Sequence, residues 1–289
     1  MDLAFTKMHG LGNDFIFIED LESGLDFSPE AVQWFCNRHF GIGADGMILV
    51  RPASTPDADF YMHYINADGT LAEMCGNGVR CFAKYLVDRE FIARDRDELV
   101  VETLGGLKQI SVTRDEQGML YLATVNMGAP VLAAERIPTT LSGDPVVDVP
   151  LVTDLGTFEV TCVSMGNPHC VTWVESVESA PVRVVGPGIE EHPAFPKRTN
   201  VEFAEVVSKD RIRLRVWERG CGETLACGTG ACATVVAATL AEKVDRDATV
   251  ELPGGELAVS WDRESGDVFM TGTALEVFTG TLSIGEDEE

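Results

Sequence analysis

Two short stretches, Glu73-Met-Cys-Gly-Asn-Gly-Val-Arg80 and Ala226-Cys-Gly-Thr-Gly-Ala231, decide how this chain is organised. In each, a cysteine precedes a Gly-x-Gly turn that opens onto residues with helical periodicity. After the first these are Val79, Phe82, Ala83, Tyr85 and Leu86; after the second, Ala231, Val235, Ala238, Leu240 and Ala241. Placing Cys75 on Cys227 gives an offset of 152 residues in a chain of 289, and placing Gly12-Asn13-Asp14 on Gly166-Asn167-Pro168 gives 154. Two landmarks that agree so closely imply two copies of one unit.

Outside the two helical segments the pattern is one of short apolar or alternating runs bounded by turn formers, which predicts strands. In the first half these are 15–19, 47–50, 59–65, 99–102, 108–112 and 119–125; in the second, 158–163, 201–207, 212–218, 248–252, 257–261 and 268–273. The fold class expected is therefore α+β, with two pseudo-symmetric domains and an active site in the cleft between them. The least periodic connection, 126–138 with Gly128, Pro130 and Pro138, is the natural boundary. It divides the chain into 1–125, completed by the C-terminal segment 273–289, and 126–272.

Composition narrows the function classes. With 45% apolar and 24% charged residues the chain can bury a core, and 47 acidic against 22 basic residues leave a formal charge of -25. That excess disfavours nucleic acid and anionic membrane as partners. It resembles proteins from a salt-rich cytoplasm and is spread well beyond the acidic tail at 285–289. The start of the sequence has neither a basic leader nor an apolar signal stretch, and a cytoplasmic address is expected. Eight cysteines in a chain of this size read as thiols rather than a disulfide framework. The spacings within 75/81 and 221/227/232 are too wide for a zinc knuckle, so no metal is expected.

A glycine-flanked turn opening a helix presents backbone N–H groups at the positive end of the helix dipole, which suits a carboxylate. A cysteine there is expected to have its pKa drawn below the free value of about 8.5. Two such thiols on opposite faces of one carbon can remove a proton from one side and supply one to the other, which inverts the centre. Catalytic roles are assigned to Cys75 and Cys227. Cys36, Cys81, Cys162, Cys170, Cys221 and Cys232 are read as small buried hydrophobes.

The stretches Phe5-Thr-Lys-Met-His-Gly-Leu-Gly-Asn-Asp-Phe15, Asn66-Ala-Asp-Gly69, Glu73 to Arg80, Gly166-Asn-Pro-His169, Arg198-Thr-Asn-Val-Glu202 and Glu218-Arg219 with Ala226 to Ala231 together resemble the diaminopimelate epimerase family. The resemblance implies domains that are each a strand-rich, barrel-like unit around a central helix. It also implies catalysis without a cofactor, a homodimer, and epimerisation of L,L-diaminopimelate to the meso isomer in lysine biosynthesis. Carried over position by position, the substrate-binding set is Asn13, Asn66, Gly76, Asn77, Asn167, Asn200, Glu218, Arg219, Gly228 and Thr229. Arginine forks a carboxylate, glutamate pairs an ammonium and asparagine serves either. Each asparagine is equally at home as a turn former, and Glu218 with Arg219 as a surface ion pair.

His169 is left outside the catalytic set, since a lone histidine is often only a structural residue. Where some family members carry glutamine this chain has Gly46, and Asp45-Gly46 is read as a turn. Rival readings are a proline racemase-like or other amino-acid racemase on the same scaffold, a binding protein that keeps the fold, and a cysteine hydrolase using His169 as base.

Overall fold

The computed structural model describes residues 2–283; the acidic tail and the end of the expected closing segment, 284–289, lie outside the described residues. Backbone contacts divide the chain into two compact units, residues 2–125 with 272–283, and residues 126–271. Each is mixed α and β.

The first unit opens with β1 (Asp2–Gly10) and β2 (Asn13–Glu19), joined by Leu11 and Gly12. Both of these linking residues have positive φ, 56° and 85°, as a twist-matched two-residue hairpin requires. Helix α1 (Pro29–Cys36) follows, then β3 (Gly46–Pro52), β4 (Phe60–Asn66), helix α2 (Gly76–Asp88), β5 (Glu98–Thr103), β6 (Gly106–Arg114) and β7 (Leu120–Asn126). The last strand of the chain, β17 (Leu275–Ser283), pairs with β1. The ladder runs β17-β1-β2-β3-β4-β5-β6-β7, with parallel steps at β2–β3 and β4–β5 and antiparallel steps elsewhere.

The second unit repeats this plan. It contains β8 (Val149–Thr153), β9 (Gly156–Ser164), β10 (Pro168–Trp173), α3 (Val182–Glu190), β11 (Asn200–Ser208), β12 (Arg211–Glu218), the short β13 (Gly222–Thr224), α4 (Gly228–Leu240), β14 (Asp247–Leu252), β15 (Gly255–Trp261) and β16 (Val268–Gly272). Its ladder is β8-β9-β10-β11-β12-β14-β15-β16, with the parallel steps at β10–β11 and β12–β14. Parallel neighbours need a crossover connection. In both units the first parallel step is crossed by the shorter helix, α1 or α3, and the second by the longer one, α2 or α4. The repeat read from two cysteine turns is thus a repeat of topology.

The longer helix of each unit is its core. Helix α2 touches β1, β2, β5 and β17, and α4 touches every ladder strand from β9 to β15. A ladder whose distant members all reach one helix is curled around it. Helix α4 achieves this with Gly, Ala, Thr and Val on all sides, so strands approach it from every direction. Helix α2 is bulkier: Tyr85 stacks on Phe17 with centroids 5.4 Å apart, and Phe17 also meets Phe82. The shorter helices seal a second layer. Val32, Phe35 and Cys36 of α1 pack with Ile16, Ile18, Met47 and Leu49, as Val182, Val185 and Ile189 of α3 pack with Val201 and Phe203.

Two expectations are corrected here. Gly46 is not a turn residue but the first residue of β3, paired with Phe15 on one side and Asn66 on the other. A Cβ there would lie 2.6 Å from the Tyr64 ring and 2.7 Å from the Ile65 carbonyl, so no side chain fits. Helices α1 and α3 and strands β1, β8, β10, β13 and β17 were not anticipated. None of the eight cysteines is in a disulfide, and no group of metal-binding side chains occurs among the described residues. No described helix is long and apolar enough to cross a membrane.

Candidate active site

Cys75 is the N-cap of α2 and Cys227 the N-cap of α4, each with extended backbone angles. The first bonds of the two helices run from Val79 N–H to the Cys75 carbonyl, 2.8 Å, and from Ala231 N–H to the Cys227 carbonyl, 2.9 Å. Gly76-Asn77 and Gly228-Thr229 therefore occupy the first turn, whose N–H groups precede the helix's own bonding. The second glycine of each turn admits close packing. At Gly78 a Cβ would sit 3.3 Å from Ile48 and 3.5 Å from Cys75 Cβ; at Gly230 it would sit 2.9 Å from Glu202 Oε1 and 3.3 Å from Cys227 Sγ. Gly230→Ala is expected to push the Glu202 carboxyl or the thiol out of place and to lower kcat/KM far more than Gly78→Ala. Steady-state kinetics of the two variants checks this, and equal losses would refute it.

Around Cys75 the first unit gathers Asn13 and Asn77. Cys75 Sγ donates to Asn13 Oδ1 at 3.3 Å, and Asn77 Nδ2 donates to the same oxygen at 3.2 Å. Asn13 Nδ2 in turn donates to Asp45 Oδ2 at 2.7 Å. Behind them lies an ion cluster: Asp14 is held by Lys7 at 2.7 Å and by both guanidinium nitrogens of Arg38, which also reaches Asp45. Burial alone would raise the Asp14 carboxyl, but the Arg38 and Lys7 contacts outweigh it and hold it far below the usual carboxylate range. Asn66 ends β4, and its side chain donates to Thr70 Oγ1 at 3.1 Å within its own turn.

Cys227 is in a different setting. Its sulfur accepts from Gly230 N–H at 3.4 Å and contacts Thr229 Oγ1 at 3.5 Å; Thr229 Oγ1 accepts from Asn167 Nδ2 at 3.3 Å. Asn167 Oδ1 lies 3.0 Å from His169 Nε2, and His169 Nδ1 lies 2.6 Å from Glu202 Oε1, both residues fully buried. Glu202 Oε2 is the one buried side-chain nitrogen or oxygen among the described residues without a hydrogen-bond partner. Burial pushes the Glu202 carboxyl upward, against the lowering contact with His169.

The expectation that both helix ends draw their thiols downward is reversed for Cys227. It is 4% exposed, and burial, with Glu218 and Glu202 nearby, raises its thiol well above the ordinary value, against the lowering bonds from Thr229 and Gly230. Cys75 is half-buried. Among the thiols read as structural, Cys81 is fully buried and pushed up to about 12 by desolvation.

The remaining substrate candidates lie at the β12 end of the second unit. Asn200 Nδ2 donates to the Pro168 carbonyl at 2.8 Å and its Oδ1 accepts Arg219 N–H at 2.9 Å. Glu218 accepts the Thr224 hydroxyl, and the Arg219 guanidinium reaches the Lys197 carbonyl at 3.2 Å. No ion pair joins Glu218 to Arg219 among the described residues. The structure places Asn13 and Asn77 beside Cys75, and Asn167 and Thr229 beside Cys227. Sequence reasoning did not connect Asp45, Arg80 or the His169–Glu202 pair to these residues. The available signal was polar residues embedded in runs that are otherwise apolar, as Arg80 is between Val79 and Cys81.

Among solved structures, the fold is shared with a probable proline racemase of Agrobacterium radiobacter, 16% identical, with a TM-score of 0.70 over 99% of this chain and 93% of that one. That likeness defines the fold class. The chain itself belongs to the diaminopimelate epimerase family, whose sequence pattern matches residues 5–133 and again 161–277. Relatives named diaminopimelate epimerase include one from Thermosynechococcus vestitus, 51% identical, covering 98% of this chain and 100% of the relative. Another, from a Nostoc species, is 50% identical over the same shares. Membership places the chain among the isomerases that need no pyridoxal phosphate.

Proposed function

We propose that this chain epimerises L,L-diaminopimelate to meso-diaminopimelate by a two-base mechanism in which Cys75 and Cys227 are the acid–base pair. The observation that supports it most directly is that the two cysteines cap the equivalent helix of two topologically equivalent units. Inversion is nearly symmetric, so a catalyst made of two like halves suits it. One thiolate removes the α-proton while the opposing thiol delivers a proton to the other face. The N–H groups of Gly76-Asn77 and Gly228-Thr229 stabilise the enolate-like charge on the carboxylate. Asn66, Asn200, Glu218 and Arg219 supply polar groups for the substrate's distant amino-carboxylate head. The enzyme works as a homodimer in this reading, which light scattering of the purified protein tests.

The reaction is tested by incubation with L,L-diaminopimelate in deuterium oxide under reductant, with stereochemistry and α-deuterium followed together. Meso product carrying deuterium is expected; exchange with proline but not with this substrate would move the chain to the racemase reading. A pH dependence follows from the burial of Cys227. The thiolate is the base, and a raised pKa leaves it scarce at neutral pH. In the direction that uses Cys227 as base, kcat/KM of the free enzyme should climb with pH and level off only above the ordinary thiol value of 9.0. A plateau already reached near neutral pH would contradict this.

A further inference from the structure

Asn13 can turn either its oxygen or its nitrogen toward Cys75, and the choice decides whether the sulfur is favoured with its proton or without it. Two charged residues remove the choice. Asp45 Oδ2 takes both Asn13 Nδ2 at 2.7 Å and Asp14 N–H at 3.1 Å, while its Oδ1 takes Arg38 at 2.8 Å. A carboxylate engaged this way has no hydrogen to offer, so Asn13 must give it nitrogen and keep its oxygen for the other side. On that other side Arg80, fully buried in α2, donates Nη2 to Asn77 Oδ1 at 2.8 Å, and further nitrogens to the Gly76 and Thr273 carbonyls at 3.3 Å. A guanidinium cannot accept, so Asn77 must spend its oxygen on Arg80 and its nitrogen on Asn13. Gly10 makes the approach feasible, since a Cβ there would lie 3.2 Å from Arg80 Nη2 and 3.1 Å from the Asn77 carbonyl.

We propose that Asp45 and Arg80 are positioning residues that hold the Asn13 amide oxygen-first against Cys75, an orientation that favours the Cys75 thiol over its thiolate and disposes it to act as a general acid. The contact nearest the Cys227 sulfur differs, being the Gly230 N–H, which it accepts. The general-acid role of Cys75 rests on the proposed function; the amide orientation does not. The charged groups linked to Cys75 through Asn13 and Asn77 are Asp45, Arg38, Asp14, Lys7 and Arg80, and Cys81 interacts with it within α2, while Glu73 lies two residues before it in the chain.

The test is iodoacetamide labelling of Cys75 in the full-length protein across a pH series, read by peptide mass mapping. Asp45→Asn, which lets Asn13 turn over, should raise Cys75 labelling about tenfold at a fixed pH below the midpoint, equivalent to a midpoint lower by about one unit. Asp45→Glu restores an acceptor-only group and should label like the parent. Arg80→Gln should shift labelling in the same direction as Asp45→Asn; if this buried variant fails to fold, the partly exposed Asp45 carries the test alone. Each series is repeated in about 1 M salt, where charges more than about 3 Å apart are screened. A shift that persists supports the orientation. An unchanged rate in folded Asp45→Asn, or a rise that vanishes in salt, overturns it. Failure of the wild type to invert any amino acid while the labelling shift persists would refute the proposed function alone.

Discussion

Cys227→Ala and Cys75→Ala should each lower the rate of inversion by about a thousandfold, within the range that a positioned acid or base contributes. The loss should not be uniform across assays. A variant with one thiol can still remove a proton from the face it addresses, so each should exchange α-hydrogen of one stereoisomer with solvent while producing almost none of the other. Chiral chromatography with mass detection of deuterium separates the two events, and wild-type inversion by either variant would show that its sulfur is structural. The variants should also differ in stability. Cys227→Ala removes the acceptor of a helix N–H, a cap worth about 1 kcal/mol, and empties space at a buried position, whereas Cys75 is only half-buried. Denaturant midpoints report this difference.

Glu202→Ala is expected to be the most destabilising single change near the site. It removes one partner of a fully buried pair and leaves His169 Nδ1 without its 2.6 Å contact. Leaving a buried hydrogen-bonding group without its partner costs about 1–3 kcal/mol, and more where the group is charged. Glu202→Gln keeps the shape and should lose much less. The conservative variant has a kinetic signature as well: Glu202 helps to raise the Cys227 thiol, so replacing it with a neutral amide should move the rising limb of kcat/KM to lower pH. Chemical unfolding of both variants, with a pH series on the second, tests the pair. Equal stability of Glu202→Ala and wild type would rule out the coupling.

What was legible in the sequence follows the physics of each element. Strands β2 to β7, β9, β11, β12 and β14 to β16 pack apolar residues inward, and their runs stand out. Strand β17 exposes most of its side chains, so it carries no inward–outward alternation, and its strand form comes from pairing with β1. Helix α3 reads Val-Arg-Val-Val-Gly-Pro-Gly-Ile-Glu, a sequence that argues against a helix. Tertiary packing prevails there: a Cβ at Gly186 would lie 2.6 Å from the Trp217 ring, so the glycine is what lets α3 lie against β12. Helix α1 does carry its signals, with Ser28 capping Ala31 N–H and Pro29 in the first turn, but eight residues are too few for periodicity to show.

The site was legible where backbone geometry fixes it, at the two cysteine turns, and not where it depends on partners far apart in the chain. Asp45 is 32 residues from Asn13, and Glu202 is 33 from His169. No local pattern announces such pairs. Conversely, Asn66 and Asn200 carry family motifs, yet their side-chain bonds are to Thr70, the Pro168 carbonyl and Arg219 N–H, the turn-forming work that asparagine does in any protein.

The pairing of β1 with β17, from Asp2 opposite Ser283 to His9 opposite Leu275, also fixes an order of events during synthesis. The second unit is one continuous stretch and can complete its ladder as soon as residue 271 has left the ribosome. The first unit begins earlier but lacks its edge until the final strand emerges, so the half made first is finished last. Until then the free side of β1 presents unpaired backbone groups, the kind of edge at which nascent chains associate wrongly. A chain released without its last strand would leave that edge uncovered, while every strand and helix of the second unit would already be present.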